Sequence, residues 1–502
     1  MDDLKVLVSI IRQQNLKNNP EKNNDETKLN QFEELLFENK IADDESAISQ
    51  IYGDIYNTNK YKTLKYRVKE RLYNRIFFNA SHISNLRSRT GASQIISKNY
   101  TIAMVLMDNF QRKIAIPIFK DIFKLSVRFE QTAFCLLCLK QFIYHYGFID
   151  PDARKFQYYK SLKDQYLKVF EAEQFAENCN ADISHIYVTK KSGIDKTQML
   201  EFQGKVHTLL DLQKETPSYI VNLITFDLAG FYFLYMRDYE KVIKYSNAAI
   251  TYFQSLEFEE KLGLLQSYNN IALANLYQGN TIAADEYIIK GFEIVTNGSR
   301  YWFRQMGIYF LSAVQQKDYD KMFIICQESV ANKKLKLFSV EEEQWYIREA
   351  YAQFLNRMGK ISPEVIAEKT ARPFVLSKFL NSVPFHSKDK QGQNISIIVI
   401  QMLFLILDRK YNAVIDKVEG LNQYTYRHLK NDETFRSNCF IKMLLQMVKA
   451  DFHPIRTRTY TEDLEKKLLA TQFVSNENSA HIEIIPYDQL WYVVLELLSR
   501  NN

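Results

Sequence analysis

The sequence predicts an all-α fold, an α-solenoid of stacked antiparallel helical hairpins with a C-terminal capping helix. Three observations carry that expectation. The 502 residues include only 14 glycines and 9 prolines, well under half the roughly 12% of average usage. So little punctuation over such length means long helices joined by short polar turns. Between Phe226 and Val330 one pattern occurs three times: an apolar run with small residues, a short break, then a second amphipathic stretch. The breaks are Arg237-Asp238-Tyr239, Gln278-Gly279-Asn280-Thr281 and Lys317-Asp318-Tyr319, and self-similarity at a period near 40 residues is the mark of a helical repeat. Aromatics reach 14% of the sequence, with 34 Phe and 32 Tyr, rings large enough to fill the gaps between stacked hairpins.

In chain order, residues 1–18 read as a helix and the polar stretch 18–26 as a loop. Residues 29–37 and 45–56 are short helices, the second with Asp43 and Asp44 at its electropositive start. Residues 61–78 form a long basic helix, and a Ser-, Asn- and Arg-rich loop covers 79–91. The pattern is helical again over 97–148, with Pro117 at a helix start or kink. A long helix over 153–178 would carry Tyr158, Leu162, Tyr166, Val169 and Phe170 on one face, followed by a basic loop at 190–196. Beyond Val330 looser helices cover 342–357, 373–380, 395–407 and 413–421, with a polar loop at 383–394. Residues 482–486 read as a short extended element. The last helix, 488–498, would present Trp491, Val494, Leu495 and Leu498 to the body, as a solenoid needs a terminal cap over its open apolar end. These segments divide the sequence into an N-terminal helical region with the basic helix (1–90), helical hairpins (91–215), the repeats (216–335), degenerate repeats (336–460) and the cap (461–502).

Composition narrows the function classes. The net charge of +6 arises from 65 basic and 59 acidic residues, a thin excess where a nucleic-acid binder carries a concentrated basic field. Five cysteines, an odd number scattered along the sequence, do not make a secreted disulfide framework. The longest apolar run, 395–407, contains Ser396 and Gln401 and falls short of the about 20 residues of a membrane span. A cytoplasmic protein without a membrane partner is expected.

In the first repeat the informative residues are Phe226, Ala229, Gly230, Phe233, Tyr239, Val242 and Ala249. In the second they are Tyr268, Asn270, Ile271, Ala272, Ala284 and Gly291. The third keeps Asp318 and Tyr319 at the turn but has Phe310 and Met322 where small residues are expected. On these residues the segment resembles tetratricopeptide repeats, two-helix units with small residues where helices cross and an aromatic near the turn. The breaks lie 42 and then 38 residues apart rather than about 34, and no proline closes the units. The stretch 64–72 and the ending 482–491 also resemble long helical-repeat proteins of Bacteroidetes bacteria, a likeness that brings no activity with it.

The tetratricopeptide resemblance implies a non-enzymatic scaffold that binds a protein or peptide along the groove lined by the first helix of each unit. It places Asp227, Phe231 and Leu234 from the first unit on that groove, then Asn269, Leu273 and Leu276 from the second, and Arg304 and Leu311 from the third. Asn269 and Asn270 stand out because an amide side chain both donates to and accepts from a peptide backbone. The plainer reading has Asn270 stabilising the hairpin and Asn269 solvated.

The alternative function is a nucleic-acid-binding regulator using Lys65, Arg67, Lys69, Arg71 and Arg75 of the basic helix. Leu64, Val68, Leu72 and Ile76 recur every four residues as a core stripe, and the basic residues straddle it, which fits a solvated rim better than one outward face. Cys135 and Cys138 match the two-residue spacing of redox and zinc sites, but within an apolar helix they read as core. Gly359-Lys360-Ile361-Ser362 lacks the upstream glycine of a phosphate loop. Glu341, Glu342 and Glu343 read as an acidic helix start. No catalytic residue, metal site or cofactor is expected.

Overall fold

The computed structural model describes residues 1–13, 27–53, 58–83, 86–189, 196–216, 218–369, 374–382, 393–428, 435–471 and 483–501. The loops expected at 18–26, 190–196 and 383–394 lie largely outside them. Among the described residues every regular element is helical, so the fold is all-α. The protein divides into two compact units, one of Met1–Phe170 with Leu256–Glu259, the other of Glu171–Ser255 with Glu260–Asn502.

The first unit opens with α1 (Asp2–Gln13), α2 (Thr27–Phe37), α3 (Asp44–Tyr52) and α4 (Thr58–Ile83). These share a core in which Leu64, Val68 and Leu72 of α4 meet Leu4, Val8, Phe32 and Leu36, the stripe visible in the sequence. A capping box starts α3: Asp43 accepts from the Ser46 N–H, and the Asp43 N–H donates to Ser46 Oγ. Next come α5 (Arg89–Asp108), α6 (Arg112–Arg128), α7 (Thr132–Tyr144) and one π-helical turn, His145–Ile149, before α8 (Ala153–Thr189). Pro117 lies inside α6 rather than at its start. Tyr166 of α8 packs edge-on against Phe123, as the periodicity implies. Tyr158 does not join it, being 61% exposed. Tyr159, one position round the helix, takes the inward place on Phe142 and Tyr146. Cys135 and Cys138 are buried and form no disulfide, and burial pushes the Cys138 thiol far above its ordinary range.

In the second unit, residues of α8 and of α9 (Lys196–Glu215) pack against α10 (Tyr219–Tyr235). Three hairpins follow where the repeats were read: α10 with α11 (Tyr239–Ser255), α12 (Lys261–Tyr277) with α13 (Thr281–Ile294), and α14 (Arg300–Gln315) with α15 (Tyr319–Ala331). A 3-10 turn at Lys333–Leu337 leads to a further first helix, α16 (Ser339–Arg357), and then to the short α17 (Pro363–Lys369), which packs on α15. First helices begin at 219, 261, 300 and 339, so the spacing of the three repeats continues by one helix into the region expected to hold degenerate repeats. After it come α18 (Leu376–Ser382), α19 (Gln393–Leu407), α20 (Tyr411–His428), α21 (Phe435–Lys449), α22 (Pro454–Ala470) and α23 (Tyr487–Asn501).

One backbone device closes these hairpins. At the α10–α11 turn Arg237 adopts φ +58°. Its N–H donates to Leu234 O and the next, of Asp238, to Phe233 O at 2.9 Å, which satisfies two carbonyls the helix end would leave open. The Asp238 side chain then accepts from the Lys241 N–H and starts the next helix. The same pair of backbone bonds recurs around Gly279, Lys317, Gly359 and Arg409, and in the first unit around Phe110 and Glu130. Only two of these seven left-handed positions are glycine, so the others bear a steric cost of about 1–2 kcal/mol each.

The last helix is buried along most of its length: Leu490, Trp491, Val494 and Leu498 have essentially no exposure. Residues 483–486 precede it as irregular backbone, not the extended element expected. No strand lies beside them among the described residues, so nothing would hydrogen-bond an extended run, and Ile484 and Ile485 are simply packed into the core. Arg436 of α21 ties this lead-in down. Its guanidinium donates to both Glu483 oxygens, to Asp488 Oδ1 at 2.7 Å, and to the carbonyls of Leu468 and Thr471. Glu483 Oε1 also accepts the Tyr487 N–H at 2.6 Å. Burial opposes the charge on Arg436, but the bonds to Glu483 and Asp488 outweigh it and hold the guanidinium more firmly protonated.

Glycine at the turn has a measurable value. No atom lies within 4 Å of a Cβ built on Gly279, so Gly279→Ala should lower stability by about 1–2 kcal/mol through backbone conformation alone. Lys317→Gly relieves the same strain but loosens the unfolded state by about 0.4–1 kcal/mol, for a net change between zero and a slight gain. Equilibrium urea unfolding of both variants checks the opposite signs.

Candidate functional site

The first helices of successive hairpins, α10, α12, α14 and α16, pack side by side as one layer. This layer carries most of the residues expected on the groove. Asp227 is exposed. Phe231 and Leu234 are half-buried against the α8–α10 core, the Phe231 ring 5.7 Å from that of Phe202. Asn269 and Leu273 are half-buried on α12, and Arg304 is exposed on α14.

Three expected groove residues are interior instead. Asn270 is 5% exposed; its amide lies where a Cβ on Gly230 would collide with it, and it accepts from Gln266 Nε2 at 3.3 Å. One residue on from Asn269 is a turn of about 100° round the helix, enough to aim Asn270 at α10. Leu276 and Leu311 are 2% and 9% exposed and share a small core with Ala284. Three residues past Leu273 the helix face has rotated toward the second helix of its own hairpin, so Leu276 seals the α12–α13 contact and cannot anchor a ligand.

What remains has an open polar group. Asn269 Oδ1 is buried and accepts no hydrogen bond, an omission that native interiors rarely tolerate. On the same layer, Glu341 in the first turn of α16 is buried and receives Arg300 at 2.6 Å and Arg304 at 3.7 Å from α14. The acidic helix start read from the sequence thus serves as a link between two first helices. Elsewhere in the hairpins, Asp285 of α13 gathers Ser312 Oγ, Gln316 Nε2 and, at 2.7 Å, Lys321 Nζ, joining the second hairpin to the third.

The sequence reading missed Arg348. This α16 residue is 8% exposed and, among the described residues, has no hydrogen bond and no carboxylate partner; its guanidinium lies over the rings of Trp345 and Phe310 at 4.8 and 5.8 Å. A single arginine in a helical run carries no local sign of burial, so only the packing of α14 on α16 reveals it.

The basic helix α4 is neutralised by its neighbours. Lys65 pairs with Asp44 at 2.8 Å and Lys69 with Asp3 at 3.1 Å, while Arg71 and Arg75 both reach the buried Glu33, Arg75 at 2.6 Å. Arg67 is exposed. Residues 1–90 contain 15 basic and 13 acidic side chains, so this region carries only a slight positive excess.

Among the described residues, no helix is long and apolar enough to cross a membrane, and no group of three His, Cys, Asp or Glu is placed to hold a metal ion. Comparison with protein-family models, curated proteins and solved structures finds no match to this protein.

The Asp285 network has a pH signature. Burial raises the Asp285 carboxyl, but Lys321, Ser312 and Gln316 outweigh it and hold it below its ordinary 3.8. A depressed carboxylate contributes its stability fully above the unfolded-state value and loses it as pH falls through the lower folded value. Asp285→Asn should therefore cost about 1.5–3 kcal/mol at neutral pH. Denaturant titrations should show that deficit shrinking only below about pH 4.

Proposed function

We propose that the layer of first helices from α10 to α16 is the binding face of a non-enzymatic, cytoplasmic scaffold for a protein or peptide. The observation that carries this reading is Asn269 Oδ1, a buried acceptor without a donor on the face of the repeats. The Asn269 side chain is only half-buried, so a turn of its amide would bring this oxygen to a bound backbone N–H, and the half-buried Phe231 and Leu273 on the same layer supply apolar contact without having to leave the core. The resemblance to tetratricopeptide repeats points the same way, since in that family the first helices line the groove.

The nucleic-acid reading has less support. For α4 to contact phosphates, Lys65, Lys69, Arg71 and Arg75 would first have to leave Asp44, Asp3 and Glu33. Exchanging one anion for another gains little.

Affinity capture from the native cell extract tests the proposal. Wild-type protein should retain a partner that Asn269→Ala with Leu273→Glu loses, while circular dichroism confirms an unchanged helical content. Failure to retain any partner, or equal retention by the double variant, removes the groove as the binding face. In parallel, a gel-shift titration across salt should give weak or no binding; a steep log–log slope would favour the nucleic-acid reading instead.

A further inference from the structure

Two arginines of the second unit are buried to the same degree, and they live in opposite circumstances. Arg436 and Arg348 are each 8% exposed. Arg436 directs its donors to two carboxylates and two backbone carbonyls. Arg348 engages none of its own among the described residues. The rings of Trp345 and Phe310 interact with the face of a guanidinium, but its five N–H groups point outward in the plane and need acceptors. A buried guanidinium without them is strongly disfavoured, and native proteins keep such groups chiefly where something else completes them.

The surroundings offer no internal candidate. Across from Arg348 on α14 is Gly307, where a Cβ would sit 3.5 Å from Arg348 Nη2. Arg304, one turn earlier on α14, adds a second cation, and Glu341, in the first turn of α16, is engaged by Arg300 and Arg304. From α15 the Cys326 thiol is the titratable group whose field reaches Arg348. Burial lowers the Arg348 pKa to about 10, which leaves it charged at neutral pH. Among the described residues, the sealed polar atoms that lack a partner include Asn269 Oδ1 and not the Arg348 nitrogens. The little exposure Arg348 retains is therefore at its charged end, so the group faces an opening rather than a closed core.

We propose that Arg348 is an anion receptor in the groove: the ligand presents a carboxylate, from an acidic side chain or from a peptide's C-terminus, that takes the in-plane donors of Arg348. This deepens the peptide-binding reading and rests on it. A planar carboxylate matches two parallel guanidinium donors. Asn269 and Arg348 then act on different parts of one ligand, an acceptor for its backbone on α12 and a donor for its acid on α16.

Fluorescence anisotropy with the full-length protein tests this using three labelled octapeptides. One alternates Glu and Ala with an amidated end, one replaces Glu by Gln, and one is polyalanine with a free C-terminal carboxylate. Binding of the first identifies acidic side chains as the source, binding of the third the peptide terminus, and the Gln peptide should not bind. Arg348→Met fills a similar volume without charge and should weaken the carboxylate peptide about tenfold or more. It should leave the melting temperature of the free protein equal or higher, because an unpaired buried cation has been removed. Inorganic phosphate should compete only weakly; strong competition would mean a phosphate site and overturn the carboxylate assignment. Equal affinity of wild type and Arg348→Met, no binding of either carboxylate peptide, or a markedly lower melting temperature for Arg348→Met would each overturn the proposal. If that happens while a partner is still captured through Asn269 and Leu273, the groove stands and only its anion receptor falls.

Discussion

A single left-handed residue at the close of a helix is the constraint from which most of this structure follows. It reverses the backbone within about three residues, so the two helices must lie antiparallel and in contact. Each such turn leaves the first helices of neighbouring hairpins free to form a layer of their own. Arg237, Lys317, Arg409, Phe110 and Glu130 accept the unfavourable conformation where glycine would be easier. Two satisfied carbonyls offset it at every turn, and at Asp238 and Asp318 a side-chain cap on the next helix adds to them, which is how the device recurs in both units with different side chains.

The layer so formed is held by polar links as well as by rings. Glu341 joins α14 to α16 through two arginines, and Asp285 joins α13 to α14 and α15. These bonds run between neighbouring units rather than within them, at the interfaces on which the stability of a repeat array depends. The Arg436 cluster does the same for the lead-in to α23. Where charge is fully matched, as there, it fixes the backbone; where it is not, as at Arg348, the fold keeps a surface able to take something up.

The sequence revealed the architecture better than the site. Turn residues at a regular spacing, few glycines and prolines, and the α4 stripe of Leu64, Val68 and Leu72 all follow from local periodicity, and all appear in the structure. The split between Asn269 and Asn270 depends on the direction of α10, set by a helix some 40 residues earlier. The acids that neutralise α4 come from Asp3, Glu33 and Asp44 on three other helices, and no window along the sequence brings them together. Pairings across such separations belong to packing, and packing is what a single sequence conceals.

The reach of α23 has a consequence for how the protein is made. Gln489, Glu496 and Arg500 contact Tyr319, Lys360 and the Met358 carbonyl across 170, 136 and 142 residues, in an array whose other links are mostly short. Translation delivers α15 and α16 well over a hundred residues before α23. At roughly 5–20 residues per second, the surfaces that will meet α23 wait uncovered for on the order of ten seconds. The early hairpins can fold as they emerge from the ribosome, but this part of the molecule must be finished afterwards.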